Sequence, residues 1–207
     1  MKRILKMIFT IAASLLVMPL VLICKALAPV SEKDSFFTGI GQALSLLPGK
    51  FGSYLRVAFY RQTLLSMTQN TYMGFGSWFS HPEAQIGNGV YIGAYCIIGK
   101  CRIGADCTIG SNVHILSGKR QHNFSRTDLP VQEQGGVFDT VEIGENCWIG
   151  NGAIIMAGMG RQCVIGAGSV LTKNAGDHEM LAGNPAKVIR STLDNRNTKV
   201  SLINEQE

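Results

Sequence analysis

Charge is scarce in this chain: 16% of its 207 residues are Asp, Glu, Lys or Arg, against 46% hydrophobic, an apolar balance for a soluble domain. The charge that is present forms no basic stripe interleaved with aromatics and no nucleic-acid motif. The net charge of +5 therefore points to phospholipid headgroups or the phosphates of a cofactor, and nucleic acid is excluded as a partner. Histidine is scarcer still. His81, His114, His122 and His178 are scattered, a poor supply for a zinc centre that needs three histidines on adjacent structural repeats.

What the chain has in abundance is a repeat. An aliphatic-Gly pair recurs at Ile86-Gly87, Ile92-Gly93, Ile98-Gly99, Ile103-Gly104 and Ile109-Gly110, then again at Ile143-Gly144, Ile149-Gly150 and Ile165-Gly166. A step of six fits neither a helix nor a lone strand, and it predicts a solenoid. Two positions before each aliphatic lies a small residue: Ala84, Val90, Cys96, Cys101, Cys107, Val113, Val141, Cys147, Ala153, Cys163 or Ser169. Residues i and i−2 of an extended chain share a side, so small and large residues alternate along one inward face, and Gly allows the corner between flat faces. The steps from Ile98 to Ile103 and from Ile155 to Ile165 are short and read as corner deletions.

The stretch VEIGENCWIGNGAIIMAGMGRQCVIGAGSVLTKNAGDHEMLAGNPAKVIR, residues 141–190, resembles the hexapeptide-repeat acyltransferases, among them sugar and polysaccharide O-acetyltransferases and the galactoside and serine acetyltransferases. The resemblance runs from about His81 to Arg190. It implies an all-β, left-handed parallel β-helix with three hexads per turn, a homotrimer, and acetyl-CoA as donor.

The N-terminus differs in character. Met7 to Cys24 are 18 uncharged residues, preceded by Lys2, Arg3 and Lys6, near the length of a membrane-spanning helix. A cleavable signal, a simple span, a monotopic or re-entrant insertion broken near Pro19 and a buried helix of a soluble oligomer all fit. The re-entrant form keeps an acyl-CoA enzyme beside its donor. It places the protein on the cytoplasmic face of the inner membrane; a cytoplasmic location is the alternative. The organisation expected is a hydrophobic membrane-anchoring segment over residues 1–30, an amphipathic helical region over 31–80, the β-helix over 81–175, a donor-side segment over 176–190 and a polar tail over 191–207. In the second region Phe36, Phe37, Ile40, Leu44 and Leu47 recur at helical spacing, then Phe51, Tyr54, Leu55, Ala58 and Phe59, with Lys50, Arg56 and Arg61 between them. Such faces suit an anionic membrane surface or packing on the solenoid.

Five of the six cysteines fall in the small inward column, where a thiol serves as a small hydrophobe; neither a disulfide framework nor a metal is predicted from them. Cys24 has no evident chemistry, and the sequon Asn123-Phe124-Ser125 is set aside. Residues 117–140 leave the register and Val141 rejoins it in phase. A break of 24 residues is a functional loop or a disordered one, and it carries His122.

Moving an acyl group from a thioester to a hydroxyl requires a base for the hydroxyl proton, and imidazole, with a pKa near ~6.5, is available for that at neutral pH. The resemblance places the catalytic base at the start of such a loop, which matches His122. His114, in a rung and expected to face outward, is the alternative, followed by His81 and His178. By the same resemblance Ala167, Thr172, Lys173, Lys187 and Arg190 contact acetyl-CoA, with the basic residues suited to its phosphates, and Asn151 lies near the thioester. The expected acceptor is a hydroxyl of a sugar or polysaccharide precursor, with direct transfer, no metal and no covalent enzyme intermediate. A soluble acceptor such as serine, an amino sugar or a xenobiotic, a zinc hydratase resembling the γ-class carbonic anhydrases, and a non-catalytic scaffold are the competing readings.

Overall fold

In the computed structural model, which describes residues 2–29 and 34–197, the repeats wind into a parallel solenoid of about six turns with three flat faces. The first face stacks Ser66–Met67, Gln85–Ile86, Cys101–Ile103 and Val141–Ile143. Bridges at Met159 and Ala175 extend it. The second face stacks Tyr72–Met73, Tyr91–Ile92, Thr108–Ile109, Trp148–Ile149 and Val164–Ile165. The third stacks Trp78–Phe79, Ile97–Ile98, His114–Ile115, Ile154–Ile155 and Val170–Leu171.

The inward alternation explains this architecture residue by residue. Cys101 and Ile103 are buried while Arg102 between them is exposed, and Val141, Glu142 and Ile143 repeat the pattern. Every member of the small column is buried, and so are the aliphatics that follow. Each fully buried isoleucine contributes about 1.5–3 kcal/mol of apolar transfer free energy. The glycine after the aliphatic does more than permit a corner. A Cβ on Gly93 would lie 2.6 Å from the carbonyl carbon of Gly110, and one on Gly150 would lie 2.5 Å from the amide nitrogen of Ala167, so adjacent coils approach backbone to backbone. In the ten-residue step Met159 takes the inward place, bridging Ile143 and Ala175. The shortened corner is therefore Met156 to Gly158.

The solenoid begins at Ser66, one coil before residue 81, within the stretch the sequence gives to amphipathic helices. Met67, Met73 and Phe79 stand inward there in place of isoleucine, which is why the aliphatic-Gly signal misses this coil. Three helices precede it: α1 (Lys2–Leu27), α2 (Ser35–Ser45) and α3 (Gly49–Thr63). The apolar faces of α2 and α3 close the open end of the prism. Tyr60 sits edge-on to Phe79 at 4.8 Å and to Phe37 at 5.7 Å, and its hydroxyl accepts from the Phe79 N–H at 3.1 Å. Packing thus uses the faces that also suited a membrane surface. Arg56, grouped by sequence with the surface cations, is instead fully buried. Its guanidinium donates to the carbonyls of Leu44, Ser45 and Leu47 at the end of α2 and to Met73 of the first coil, complementing the negative end of that helix.

Helix α1 runs unbroken through Pro19, which corrects the break expected there. Proline removes one backbone bond, but Val17 and Val21 on either side of it are buried, and α1 packs against both α3 and α2, which holds the helix through the defect. Thr10, Ala13, Val17, Val21 and Cys24 form the buried stripe, and the remaining circumference exposes Leu5, Ile8, Ile11, Leu15, Leu16 and Leu22, among others. Residues 4–27 are long and apolar enough to cross a membrane by length and composition. A core helix or signal sequence passes the same measure.

At the far end Glu179–Gly183 joins the second face, and Ala186–Ser191 pairs antiparallel to it, with a cis peptide before Pro185. The C-terminal part of the tail, residues 198–207, lies outside the described residues.

Candidate active site

The corner between the second and third faces is built from the residues that follow each aliphatic-Gly pair. The corner residue with left-handed backbone is Gly76 (φ 73) in the first coil, Tyr95 (φ 58) and Asn112 (φ 61) in the next two, and Gly152 (φ 70) and Gly168 (φ 67) in the two later ones; the Tyr95 ring covers Gly76. A Cβ on Gly168 would meet nothing within 4 Å. This edge is therefore bare of side chains where Asn151 and Ala167 stand, one coil apart, joined by the Gly168 N–H donating to the Asn151 carbonyl at 2.8 Å. Both are exposed. The Asn151 side chain accepts from the Ser111 N–H at 2.9 Å, so its oxygen ties two coils together and its amide N–H groups face outward from that bond. Lys187 pairs with Ala182, whose Cβ lies beneath Gly166 of the same edge. Asn151 and Ala167 thus fall on successive levels of one edge, and Lys187 stands two strands beyond Ala167 on the outer strand. Arg190 lies farther along the outer strand, its Nε donating to Met180 Sδ at 3.3 Å.

Thr172 and Lys173 leave the opposite end of the third face, at its corner with the first. The 24-residue loop leaves the same corner two coils earlier. It is a two-legged excursion: Asp139 N–H donates to Ser117 O, Val137 N–H to Arg120 O and Asn123 N–H to Gly135 O. An Arg120–Asp139 ion pair of 2.9 Å closes its base, and Arg126 pairs with Asp128 near its tip. Val141 rejoins opposite Cys101, in the register expected. His122 is exposed on the outgoing leg. The structure hence divides the seven predicted residues between two edges flanking the third face: Asn151, Ala167 and Lys187 on one, Thr172, Lys173 and the loop bearing His122 on the other, with Arg190 beside the first.

The other histidines lie apart. His114 faces outward on the third face, half-buried, between Ile97 and Ile154. His178 is a corner residue (φ 62) whose carbonyl accepts from the Thr192 N–H. His81 stands edge-on to Phe138 at 5.2 Å. Among the described residues no three histidines meet, which removes the ligand set that the zinc-hydratase reading requires. A cluster that sequence reasoning missed is Asp34, His81 and Glu83, whose ligand atoms come within 4.8 Å of one another. Burial and the Glu83 charge raise the Asp34 pKa, and His81 lowers it. Three groups from two distant segments meet there because α2 starts beside the second coil, a relation no spacing reveals. The cysteines are buried, unpaired thiols. Burial pushes Cys96 and Cys101 up, as expected for thiols that serve as packing.

Residues that sequence reasoning passed over are Gly152 and Gly168. Their signal was present: Ile149-Gly-Asn-Gly and Ile165-Gly-Ala-Gly carry Gly at the left-handed position, where Ile92-Gly-Ala-Tyr and Ile109-Gly-Ser-Asn carry a side chain.

Residues 83–117 match the family model of the bacterial transferase hexapeptide (six repeats), and residues 140–173 that of the hexapeptide repeat of succinyl-transferase. A chloramphenicol acetyltransferase of Agrobacterium fabrum is 36% identical over 109 residues, 44% of this chain and 52% of that protein. The chain spans between half and three-fifths of the length of the first curated relatives it matches. A maltose O-acetyltransferase from Clostridium difficile 630 superimposes with a TM-score of 0.66 at 26% identity, covering 75% of this chain and 84% of that one. A galactoside acetyltransferase in complex with coenzyme A shares the fold, with a TM-score of 0.63 at 24% identity, covering 74% and 80%. In its repeats and its coils alike, this chain carries the hexapeptide-repeat solenoid of the acyltransferases that its sequence resembles.

Proposed function

We propose that the chain is an acetyl-CoA-dependent O-acetyltransferase acting on a hydroxyl of a sugar or polysaccharide precursor. The bare edge at Gly152 and Gly168 carries this reading: it offers a strip of backbone with Asn151, Ala167 and Lys187 beside it, wide enough in its lack of side chains for a pantetheine arm. Lys173, Lys187 and Arg190 supply cations for phosphates, with Thr172 next to the first of them. The relatives acting on maltose and galactosides support a sugar acceptor and coenzyme A as the carrier.

In the proposed step the His122 imidazole takes the acceptor hydroxyl proton as the oxygen attacks the thioester carbon. The tetrahedral intermediate collapses with loss of the thiolate, which recovers the proton from His122. The third face lies between the His122 edge and the donor edge of one chain. Two copies set side by side bring one copy's loop against the other's bare edge, so a homotrimer, wound left-handed as in the resembled family, supplies complete sites. In this reading the assembly sits at the cytoplasmic face of the inner membrane, which the exposed apolar side chains of α1 support. Incubation with labelled acetyl-CoA and cell-envelope extract tests the reading: a labelled saccharide carries it, and label in an acetyl-enzyme overturns it. The chloramphenicol acetyltransferase likeness favours a soluble small acceptor as the second reading, which label in a small-molecule fraction would select.

A further inference from the structure

Two grooves adjoin at the helical end of the molecule, and neither belongs to the edge just described. One, of about 620 Å³, is apolar and lies between α1 and α3, lined by Leu5, Phe9, Leu16 and Phe51. The other, of about 430 Å³, mixes polar and aromatic side chains, among them Asn70, Thr71, Tyr72 and Tyr91, with aliphatic ones such as Val57 and Val90. Both include Lys6, Lys50 and Tyr54, and among the described residues no acidic one lines either. The surrounding sequence is equally one-sided: residues 1–82 contain eight basic residues and two acidic ones, so the chain's positive charge is concentrated at this end.

This mixed groove opens onto a column of aromatic side chains on the second face. Tyr72 and Tyr91 stack at 4.9 Å with planes 8° apart. The register continues Tyr91 to Thr108 to Trp148, and Tyr91 and Trp148 are both exposed. Thr108 therefore separates two aromatics by two coil spacings, about 9–10 Å. That gap has the thickness of one pyranose ring with a van der Waals contact on either side, and carbohydrate C–H faces pack well on aromatic rings. Trp148 is three residues before Asn151, so the column leads to the donor edge.

From this juxtaposition we infer that the paired grooves and the aromatic column hold a lipid-linked saccharide: hydrocarbon against Phe9 and Phe51, phosphate between Lys6 and Lys50, and sugar along Tyr91, Thr108 and Trp148. The order apolar, cationic, then polar and aromatic matches the order of parts in such an amphiphile. It also distinguishes this occupant from a bulk membrane surface, which has no use for the column. The inference rests on the acetyltransferase reading for its purpose, since it names the acceptor class, but its binding test does not.

The test is co-flotation of the full chain with phosphatidylcholine vesicles carrying a polyprenyl diphosphate-linked hexose. Controls carry the same polyprenyl diphosphate without sugar, or phosphatidylglycerol at equal charge. The expected result is binding about tenfold tighter to the glycolipid than to either control. Lys50→Glu and Tyr91→Ala, both exposed positions, should each remove most of that advantage while coenzyme A binding persists. Equal binding to phosphatidylglycerol vesicles overturns the inference in favour of a bulk anionic surface, and equal binding to the sugar-free lipid overturns the saccharide column. Wild-type binding by both variants overturns the site. Glycolipid binding without coenzyme A binding would uphold the site and sink the acetyltransferase reading.

Discussion

The guanidinium of Arg56 donates twice to the carbonyl of Met73, from Nε at 3.3 Å and Nη2 at 3.0 Å, while its Nη1 serves carbonyls at the end of α2. One side chain thus joins two helices to the first coil. Burial lowers its pKa, but arginine stays charged in proteins. Arg56→Met should orphan several buried carbonyls and cost about 3 kcal/mol or more, a fall in Tm of roughly 6–12 °C. Arg56→Lys, lacking the planar fork, should recover only part of it. A thermal melt within about 2 °C of wild type for Arg56→Met would refute this role.

His122→Ala should lower turnover by about 10²–10⁴, with coenzyme A affinity nearly unchanged, because the imidazole acts on the acceptor proton. Single-turnover kinetics alongside equilibrium binding separate the two quantities. Wild-type turnover would remove His122 from the mechanism and return attention to His114.

The bare edge makes its own prediction. Gly168→Asn places a side chain that tolerates left-handed backbone where a Cβ has free space, and Asn112 already holds the equivalent position in an earlier coil. Stability should therefore change by less than about 1 kcal/mol, whereas coenzyme A affinity should fall about tenfold or more. Calorimetric titration decides; an unchanged affinity places the donor elsewhere.

The inward thiols predict a pH dependence. Cys96 and Cys101 are raised by burial; the hydrogen bond shared by Cys107 and Cys147 pushes Cys147 up to about 11 and Cys107 down, so that pair largely offsets itself and the burial of the first two sets the sign. Folding thus favours the protonated form. The stability linked to these groups is complete below the free-thiol pKa, about 8.5, and is lost as pH rises from there toward 11, because the unfolded chain ionises first. Tm should fall across that window, and less steeply in Cys101→Ala than in wild type. A thiol reagent at pH 8 should find these cysteines only after denaturation.

The solenoid was legible because its two columns state the inward face directly. Ile and Cys or Ala two residues apart, repeated every six, leave few ways to bury both. The loop was legible as a break in that repeat, and His122 as its histidine. The first coil was not legible: Met67, Met73 and Phe79 replace the aliphatic-Gly pair, since this coil must also pack against α3. Arg56 was misread for a related reason. A cation between aromatics has the same pattern whether it faces a membrane or the carbonyls of another helix.

By itself, then, the sequence determined the prism, its inward cysteines and the phase across the loop, because each depends on local alternation and on spacing along one chain. Only the tertiary structure decided that the predicted site residues divide between two edges, that α1 passes unbroken through Pro19, and that Lys6, Lys50 and Tyr54 are shared by two adjoining grooves. Those relations depend on which distant segments pack together, and the spacing of residues along the chain does not encode that.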